Sequence, residues 1–456
     1  MKLLRAAYLL GVFGWMTTFM SCSVQKSYVS PEVADSYVIG DKTSDSISFA
    51  DTKWWDIFND PTLTQLIEEG LENNLSLQNT IIALKQSQLQ YNIARADLFP
   101  AINYGASYQA STNSITSDIT DQALIAANVS YTIDLWGRIK NENLAAFEAY
   151  LTTEMAYYQV QATLVTQIAT LYFSLRDVDN KIIVAENMVS SMNDYKNIID
   201  ARYDGGFISK VDVNQITIEI KDVEIALQTL LRARKQLENA ISIALGSEPK
   251  SIPRGLLLQE QVFPSELPVG VSSQLLQRRP SIMVLEHRLK SQLATVGATE
   301  ALQYPNITLS FDLGGQLTNP SMLFSSIIGE LVGPIFNSHK IKNAIALQGE
   351  VYKQLENEYK QAYLVALQEI EDALIAINTY KMEVDIRNEQ LLLSEEALNL
   401  SWVRYNEGVS SFLEFLNLQN SLFEAQLNAS ESYKLQLHSI VKLYLALGGG
   451  WSLNQS

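Results

Sequence analysis

Apolar residues recur every three to four positions along several long stretches that contain almost no glycine or proline, which is the pattern of helices. The longest stretches are 138–204 and 340–407, with shorter ones at 209–245, 410–447, 63–98 and 272–302. At 1.5 Å per residue, a helix of roughly 65 residues would extend about 100 Å. An ordinary globular helix averages about 11–12 residues. These lengths therefore predict a mainly α protein with coiled or tubular helices.

Other stretches change to a two-residue period, which predicts strands. In 306–318, one face has Ile307, Leu309, Phe311, Leu313 and Leu317, and the other has Asn306, Thr308, Ser310, Asp312 and Gln316. Residues 101–110 alternate in the same way, and the partner strands are predicted at 122–134 and 322–336. A tilted strand of about 9–11 residues spans a bilayer. A soluble sheet would bury its apolar face in its own domain. Because the flanking helices are long and periodic in their own right, we predict two membrane hairpins.

Four strands are too few to close a membrane barrel. Single-chain barrels of the outer membrane begin at about eight strands. An open strand edge in lipid leaves backbone groups unpaired, which costs several kcal/mol for each group. The hairpins of several subunits are therefore predicted to combine, which requires an oligomer.

The N-terminus has the three-part form of a secretory signal: Lys2 and Arg5, an apolar stretch, and Ser21 before Cys22. This arrangement predicts a lipoprotein in which 1–21 is removed and Cys22 carries the lipid, such as palmitate. An ordinary signal peptide that happens to contain a cysteine is the alternative. Beyond Cys22 no run of about 18 uncharged apolar residues could form a spanning helix.

The second half of the sequence repeats the first. At an offset of 202 residues, IKN at 139–141 recurs at 341–343, and ALG at 244–246 recurs at 446–448. A fixed offset of this kind indicates a tandem duplication. The predicted organisation is a signal peptide at 1–21, a lipidated tether at 22–50, repeats at 51–246 and 267–448, a proline-containing linker at 247–266 and a tail at 449–456. The strands fall at about 101–134 and 305–336.

Composition excludes several classes of function. The chain has 456 residues and a formal net charge of −17, without the clustered Lys and Arg that phosphate binding needs, so nucleic acid is not a predicted partner. His287, His339 and His438 are scattered and lack the spacing of a metal site. One cysteine excludes an internal disulfide framework. The sequence predicts neither an enzyme nor a cofactor.

Both long helical stretches end at a similar break. RYDGGFISKVDV begins at Arg202 and RYNEGVSSFLEF begins at Arg404. Gly206 and Gly408 suit a tight turn because glycine adopts positive φ without steric cost. The breaks are therefore predicted to be the tips of two helical hairpins. Arg202 and Arg404 either cap a helix end or pair with a local acid, or else lock one hairpin to the other.

Several motifs together resemble the TolC-type outer-membrane factors, in the lipoprotein (NodT-like) subgroup of tripartite, RND-type efflux systems. They are YTIDLWGRIKN (131–141), GPIFNSHKIKN (333–343), LPVGVSSQLLQRRPSI (267–282) and LQEIEDAL (367–374). The resemblance implies a homotrimer in the outer membrane, with four strands per chain in a shared 12-stranded β-barrel and the long helices in a periplasmic α-barrel. Its implied partners are a periplasmic adaptor, an inner-membrane pump and outer-membrane lipid.

The resemblance also implies roles for residues at the tips. By position in the motif, the periplasmic gate is expected to comprise Asp212, Tyr405, Glu414 and Asn417. The adaptor is expected to contact Gly205, Gly206, Phe207, Gly408 and Val409. The sequence departs from the best-known pattern at Ser410, where an arginine can stand, and at Asn417, where a second acid can stand.

Two other functions remain open at this stage. The same channel could serve a type I protein-secretion system. A periplasmic adaptor or coiled-coil scaffold is an alternative of another class, because adaptors are also lipoproteins with helical hairpins. An adaptor would carry one hairpin flanked by β-rich domains, which the duplicated pattern disfavours.

Overall fold

The protein is described by a computed structural model that covers residues 27–31, 55, 58–112, 119–261, 279–317 and 322–449. The predicted signal peptide, Cys22, most of the tether, residues 262–266 of the linker and residues 450–456 of the tail lie outside these ranges. The described chain forms two compact units. One contains 27–31, 82–155 and 283–361; the other contains 58–81, 156–261, 279–282 and 362–449.

Both halves of the described chain contain a helix, two strands, a long helix and a shorter helix in that order, and the first half has one more helix before them. The first half contains α1 (Pro61–Asn73), α2 (Leu75–Ala96), β1 (Ala101–Thr112), β2 (Ile119–Ile133), α3 (Arg138–Asp204) and α4 (Lys210–Ala244). The second half contains α5 (Pro280–Ala301), β3 (Asn306–Gln316), β4 (Leu323–Val332), α6 (Lys340–Asn406) and α7 (Phe412–Ala446). The two longest helices have 67 residues each. The predicted fold class, mainly helical with duplicated long helices and four strands, is confirmed.

The helix predicted over 63–98 is interrupted at Asn74. The backbone of Asn74 is extended, at φ −63° and ψ 120°. Its side-chain oxygen accepts a hydrogen bond from the Leu77 amide at 2.9 Å, which caps α2, and its side-chain nitrogen donates to the Ala244 carbonyl at 2.8 Å. Asparagine competes well with the helical backbone for such bonds. The break therefore ties the start of α2 to the end of α4.

The four strands form one antiparallel sheet in the order β1-β2-β3-β4. Both predicted hairpins are confirmed, and the pairing of β2 with β3 joins them. β2 begins three residues earlier than predicted, because Ile119 already pairs with Thr112. In the described structure, β1 and β4 each pair on one side only, so the sheet has two free edges.

The apolar face of the sheet is exposed. Tyr104 on β1 is 89% exposed and Ile327 on β4 is 78% exposed, whereas Ser310 and Asp312 on the polar face are half-buried. A soluble sheet normally has the opposite arrangement. None of the helices in the described part of the chain contains a stretch long and apolar enough to cross a membrane.

In the second unit, one buried carboxylate joins distant parts of the chain. Asp60 caps α1 by accepting bonds from the amides of Thr62 and Leu63 at 2.9 and 3.2 Å. Its other oxygen accepts from Tyr172 Oη at 2.7 Å, Gln261 Nε2 at 2.9 Å and the Leu256 amide at 3.3 Å. Asp60 is only 1% exposed, so these bonds replace its hydration.

A charged cluster connects α3 with α7 in the same unit. Lys181 contacts Asp177 at 2.8 Å and Glu431 at 2.5 Å, and Lys434 also pairs with Glu431. Burial alone would raise the pKa of Glu431, but the hydrogen bonds from Lys181 and Lys434 outweigh it and lower the pKa to about 2. Glu431 therefore stays ionised at any physiological pH.

Candidate functional site at the helix tips

We call residues 202–212 the first tip and residues 404–414 the second tip. At the end of α3, the Phe207 amide donates to the Arg202 carbonyl and the Gly206 amide donates to the Tyr203 carbonyl, both at 2.9 Å. This pair of bonds is the Schellman motif, in which the residue after the helix adopts positive φ. Gly206 has φ +78°, and nothing lies within 4 Å of where a Cβ would be.

The second tip repeats this closure. The Val409 amide donates to the Arg404 carbonyl at 2.9 Å, and the Gly408 amide donates to the Tyr405 carbonyl at 3.0 Å. Gly408 has φ +70°, also in open space. The prediction that glycine makes the turn in both breaks is confirmed. The glycines are required by backbone conformation alone, because no neighbouring atom would exclude a side chain.

Each returning helix begins with a serine cap and an acid. Ser209 Oγ accepts from the Val211 amide at 3.1 Å, and Ser411 Oγ accepts from the Glu414 amide at 3.3 Å. Asp212 and Glu414 lie in the first turns of α4 and α7, where the helix dipole stabilises a negative charge. Both carboxylates are partly exposed. Each tip thus presents one acidic side chain toward water.

The two arginines make different contacts, although they occupy equivalent positions in the duplication. Arg202 Nη2 donates to Asn406 Oδ1 at 2.7 Å, and its guanidinium lies 5.0 Å from the centre of the Tyr405 ring. Arg404 Nε lies 3.8 Å from Glu414 Oε1 within the second tip, and both side chains are well exposed. Arg202 therefore links the two hairpins, whereas Arg404 pairs with a local acid.

The second tip rests on an aromatic cluster that the first tip lacks. The ring centres of Trp402 and Tyr195 are 4.5 Å apart, and those of Trp402 and Phe415 are 4.9 Å apart. Phe412 joins the cluster through Tyr405 at 5.2 Å. At the first tip, Tyr203 instead faces outward, with Lys210 Nζ at 4.8 Å from its ring. The cluster fixes Tyr405 in place beneath Arg202.

The roles of Trp402, Phe412 and Phe415 were not predicted from the sequence. A signal was present, because aromatic residues stand three apart on each side of the second break: Trp402 with Tyr405, and Phe412 with Phe415. Residues three apart lie on one face of a helix. The equivalent positions of the first repeat, 200, 210 and 213, are Asp, Lys and Val.

The Tyr405 hydroxyl is buried without a partner. Tyr405 is 8% exposed, and its Oη has no hydrogen-bond partner among the described residues. Buried hydroxyls are nearly always hydrogen-bonded, so such an atom calls for an explanation.

Of the other residues expected at the gate, Asn417 is exposed on α7, one turn beyond Glu414, and Ser410 precedes the capping serine.

The residues expected to contact an adaptor form an exposed apolar surface at each turn. Phe207 is 83% exposed and Val409 is 69% exposed. Gly205 leaves room for the Phe207 ring, because a Cβ at position 205 would come within 2.8 Å of that ring. Each tip therefore ends in a protruding apolar side chain on a rigid, hydrogen-bonded turn, which suits a protein partner better than a small ligand.

Within the described residues, no group of three or more His, Cys, Asp and Glu side chains is arranged to hold a metal ion. The chemistry that the tips offer is a pair of carboxylates, a cross-hairpin cation and two apolar turns. These groups can contact a partner or bias the passage of ions.

Comparison with known proteins identifies the family. The family described as "Outer membrane efflux protein" matches residues 66–247 and 271–449. The chain belongs to this outer membrane efflux protein family. Similar proteins include the probable efflux pump outer membrane protein TtgC of Pseudomonas putida, 30% identical over 451 residues, with 94% of this chain and 93% of TtgC covered.

Solved structures agree with the sequence comparison. CusC, described in the context of folding and transmembrane channel formation, matches with a TM-score of 0.86 and 25% identity over 94% of this chain and all of that one. The open state of the MtrE outer membrane channel of Neisseria gonorrhoeae matches with a TM-score of 0.84 and 25% identity over 94% and 98%. The expectation of an outer-membrane efflux channel with long periplasmic helices is thus confirmed for this member of the outer membrane efflux protein family.

Proposed function

We propose that this chain acts as a passive, homotrimeric export conduit of a tripartite efflux pump. The observation that carries the proposal is the sheet, whose apolar face is exposed and whose two edges are free. Exposed apolar surface and unpaired edges are both costly for a single chain. Three copies would pair every edge in a 12-stranded barrel and turn the apolar faces toward lipid. In this proposal, Cys22 anchors each chain to the membrane by its lipid.

The tips would form the periplasmic gate. Arg202 of the first hairpin contacts both Tyr405 and Asn406 of the second hairpin. These contacts hold the two hairpins against each other and would favour the closed arrangement of the tips. The unpartnered Tyr405 hydroxyl supports this role, because it has a hydrogen bond still to make, with the neighbouring subunit or in the open state. In the trimer, Asp212 and Glu414 would each supply three carboxylates around the pore.

The exposed turns would be the contact for a periplasmic adaptor. Phe207 and Val409 offer apolar anchors, and Gly205, Gly206 and Gly408 shape the turns that present them. MtrE is described in an open state. For this chain, adaptor binding at the turns would supply the free energy that breaks the Arg202 link and opens the tips.

Neutralising the tip acids is expected to reduce the cation preference of the channel. Rings of carboxylates favour cations in a narrow aqueous pore. For Asp212→Ala with Glu414→Ala, we expect the potassium-to-chloride permeability ratio in planar bilayers to fall by about threefold or more at low salt. Asn214→Ala, which changes no charge and lies at an exposed position of α4 outside the expected gate, is the matched control. An unchanged ratio in the double variant would remove both acids from the gate.

A β-branched residue at either turn glycine is expected to weaken coupling to the adaptor. Gly206→Val or Gly408→Val forces a positive φ on a residue that avoids it, at a cost of about 1–3 kcal/mol. Asparagine tolerates this conformation better, so Gly206→Asn is the control. The measurement is drug resistance in cells that lack other outer-membrane factors. Full resistance with the valine variants, at normal trimer abundance, would contradict the assignment.

A channel for a type I secretion system shares this geometry, and the relatives named as efflux components favour the efflux assignment over it. The adaptor and scaffold alternatives do not account for a sheet with an exposed apolar face. A conduit of this kind needs no catalytic group and no cofactor.

A further inference from the structure

The polar face of the sheet carries acids and no basic side chain. Asp312 on β3 and Glu330 on β4 both lie on this face, as the register of the strands shows. Neither 101–137 nor 305–338 contains a lysine, arginine or histidine. Proteins usually mix both signs of charge on a wet surface. A face with carboxylates alone has a negative potential that no internal partner cancels.

Asp312 is held in a fixed orientation by the strands on both sides. Its Oδ1 accepts from Asn128 Nδ2 at 2.7 Å, and its Oδ2 accepts from Ser326 Oγ at 3.1 Å. Asn103 stands opposite Asn128 and completes a polar row across all four strands. A carboxylate has about four acceptor positions, and both donors here are neutral, so neither of them contributes a positive charge beside Asp312.

Glu330 lies on the same face as Asp312, at a different position along the strands. It pairs with Thr308, which lies four residues before Asp312 on β3. At about 3.3 Å per residue, the two acids are about 13 Å apart along the strands. Asp121 on β2 belongs to the opposite face, because it pairs with Ala110 and is an odd number of residues from Asn128.

We infer that the strands form a cation-selective section of the conduit, independent of the helix tips, with Asp312 and Glu330 as its selectivity residues. The inference rests on the proposed trimer, in which the polar face lines the pore and each acid occurs three times at one level. Eight strands leave room only for side chains, whereas 16–18 leave a wide aqueous channel. A 12-stranded pore lies between these sizes, so its wall charges lie close to the path of a permeating ion.

Ionic strength sets the size of the expected effect. The screening length is about 30 Å at 0.01 M salt, about 8 Å at 0.15 M and about 3 Å at 1 M. Wall carboxylates therefore act across the whole pore at low salt and only near the wall at high salt. Cationic solutes should be favoured over anionic ones of the same size, most strongly in dilute buffer.

The test uses the purified full-length protein in planar bilayers under a potassium chloride gradient. We expect Asp312→Asn with Glu330→Gln to lower the potassium-to-chloride permeability ratio by about two- to fivefold at low salt, and not measurably at about 1 M. The same fall is expected when the tip acids Asp212 and Glu414 are already neutral. Asp121→Asn removes an equal charge from the opposite face and should leave the ratio within error of wild type.

Ser107→Lys provides a second route, since it adds a cation to the polar face of β1 without altering either acid. It should lower the ratio even if Asp312→Asn does not assemble. The inference is overturned if the ratio at low salt is unchanged in the assembled acid variants, or in the lysine variant. Wild-type protein that forms no channel would overturn the proposed function and the inference together. A wild-type channel that loses all its cation preference through the tip variants would overturn the inference alone.

Discussion

Asp60→Ala is expected to lower the free energy of unfolding by about 4–6 kcal/mol. The substitution removes the cap of α1 and leaves Tyr172 Oη, the Leu256 amide and Gln261 Nε2 without their buried partner. Gly255 packs so closely that a Cβ there would come within 2.2 Å of Asp60 Oδ1. The measurement is the thermal midpoint of the detergent-extracted protein, together with its abundance in the membrane.

Ser209→Ala is the matched control for Asp60→Ala, because it removes an N-cap that is exposed to water. Its expected cost is about 1 kcal/mol, since water can satisfy the freed amide. Similar thermal midpoints for the two variants would contradict this prediction, because the buried network around Asp60 would then contribute no more than an ordinary cap.

Arg202→Ala is expected to open the channel, with the largest functional effect of any single tip substitution. It removes a hydrogen bond to Asn406, worth about 1 kcal/mol, and a cation–π contact with Tyr405, worth about 0.5–1 kcal/mol or more. A loss of roughly 2 kcal/mol shifts the ratio of open to closed tips in each chain by about 30-fold, since each 1.4 kcal/mol is a factor of ten. The open fraction in single-channel recordings measures this shift directly.

The duplication itself provides the control for Arg202→Ala. Arg404→Ala removes the equivalent arginine of the second repeat, whose partner Glu414 lies 3.8 Å away on the same hairpin. Exposed ion pairs of this kind contribute about 0–1 kcal/mol. The two variants should differ by at least a factor of about five in open fraction. An equal or larger effect of Arg404→Ala would contradict the assignment of Arg202 as the link between hairpins.

The regular elements were the most predictable part of this fold. Helix α3 begins at Arg138 and ends at Asp204, as the pattern predicts. The prediction was accurate because the sequence between these residues contains no glycine or proline. The strands were also found to within a few residues, since a two-residue period is distinctive beside long helices. Glycine marked both turns because only a positive φ closes a Schellman motif without strain.

Contacts between distant segments could not be predicted in the same way. Asp60 bonds to residues more than 100 positions away, and Asn74 bonds to the carbonyl of Ala244. The local pattern of apolar and polar residues does not show which distant residues form hydrogen bonds with each other. The sequence also left the two arginines equivalent, because they share one motif. Their difference depends on which neighbouring helix each of them faces.

The two repeats have kept the backbone of the tip and changed its side chains. Both tips have the same turn bonds, a positive-φ glycine and a serine cap. Only the second has the aromatic cluster around Trp402, and only Arg202 of the first reaches across. The first repeat thus supplies a cation and the second supplies the aromatic surface that receives it. This asymmetry gives two similar hairpins a contact that Arg202 makes and Arg404 does not: the hydrogen bond to Asn406 together with the packing on Tyr405.

The central claim is that three chains share one conduit, and the mass of the detergent-extracted particle tests it most directly. Native mass spectrometry should give a protein mass of three chains, because only pooled hairpins close the free edges of β1 and β4. A stable monomer in the membrane extract would leave those edges open in lipid. That result would contradict the shared barrel and, with it, the channel mechanism proposed for this chain.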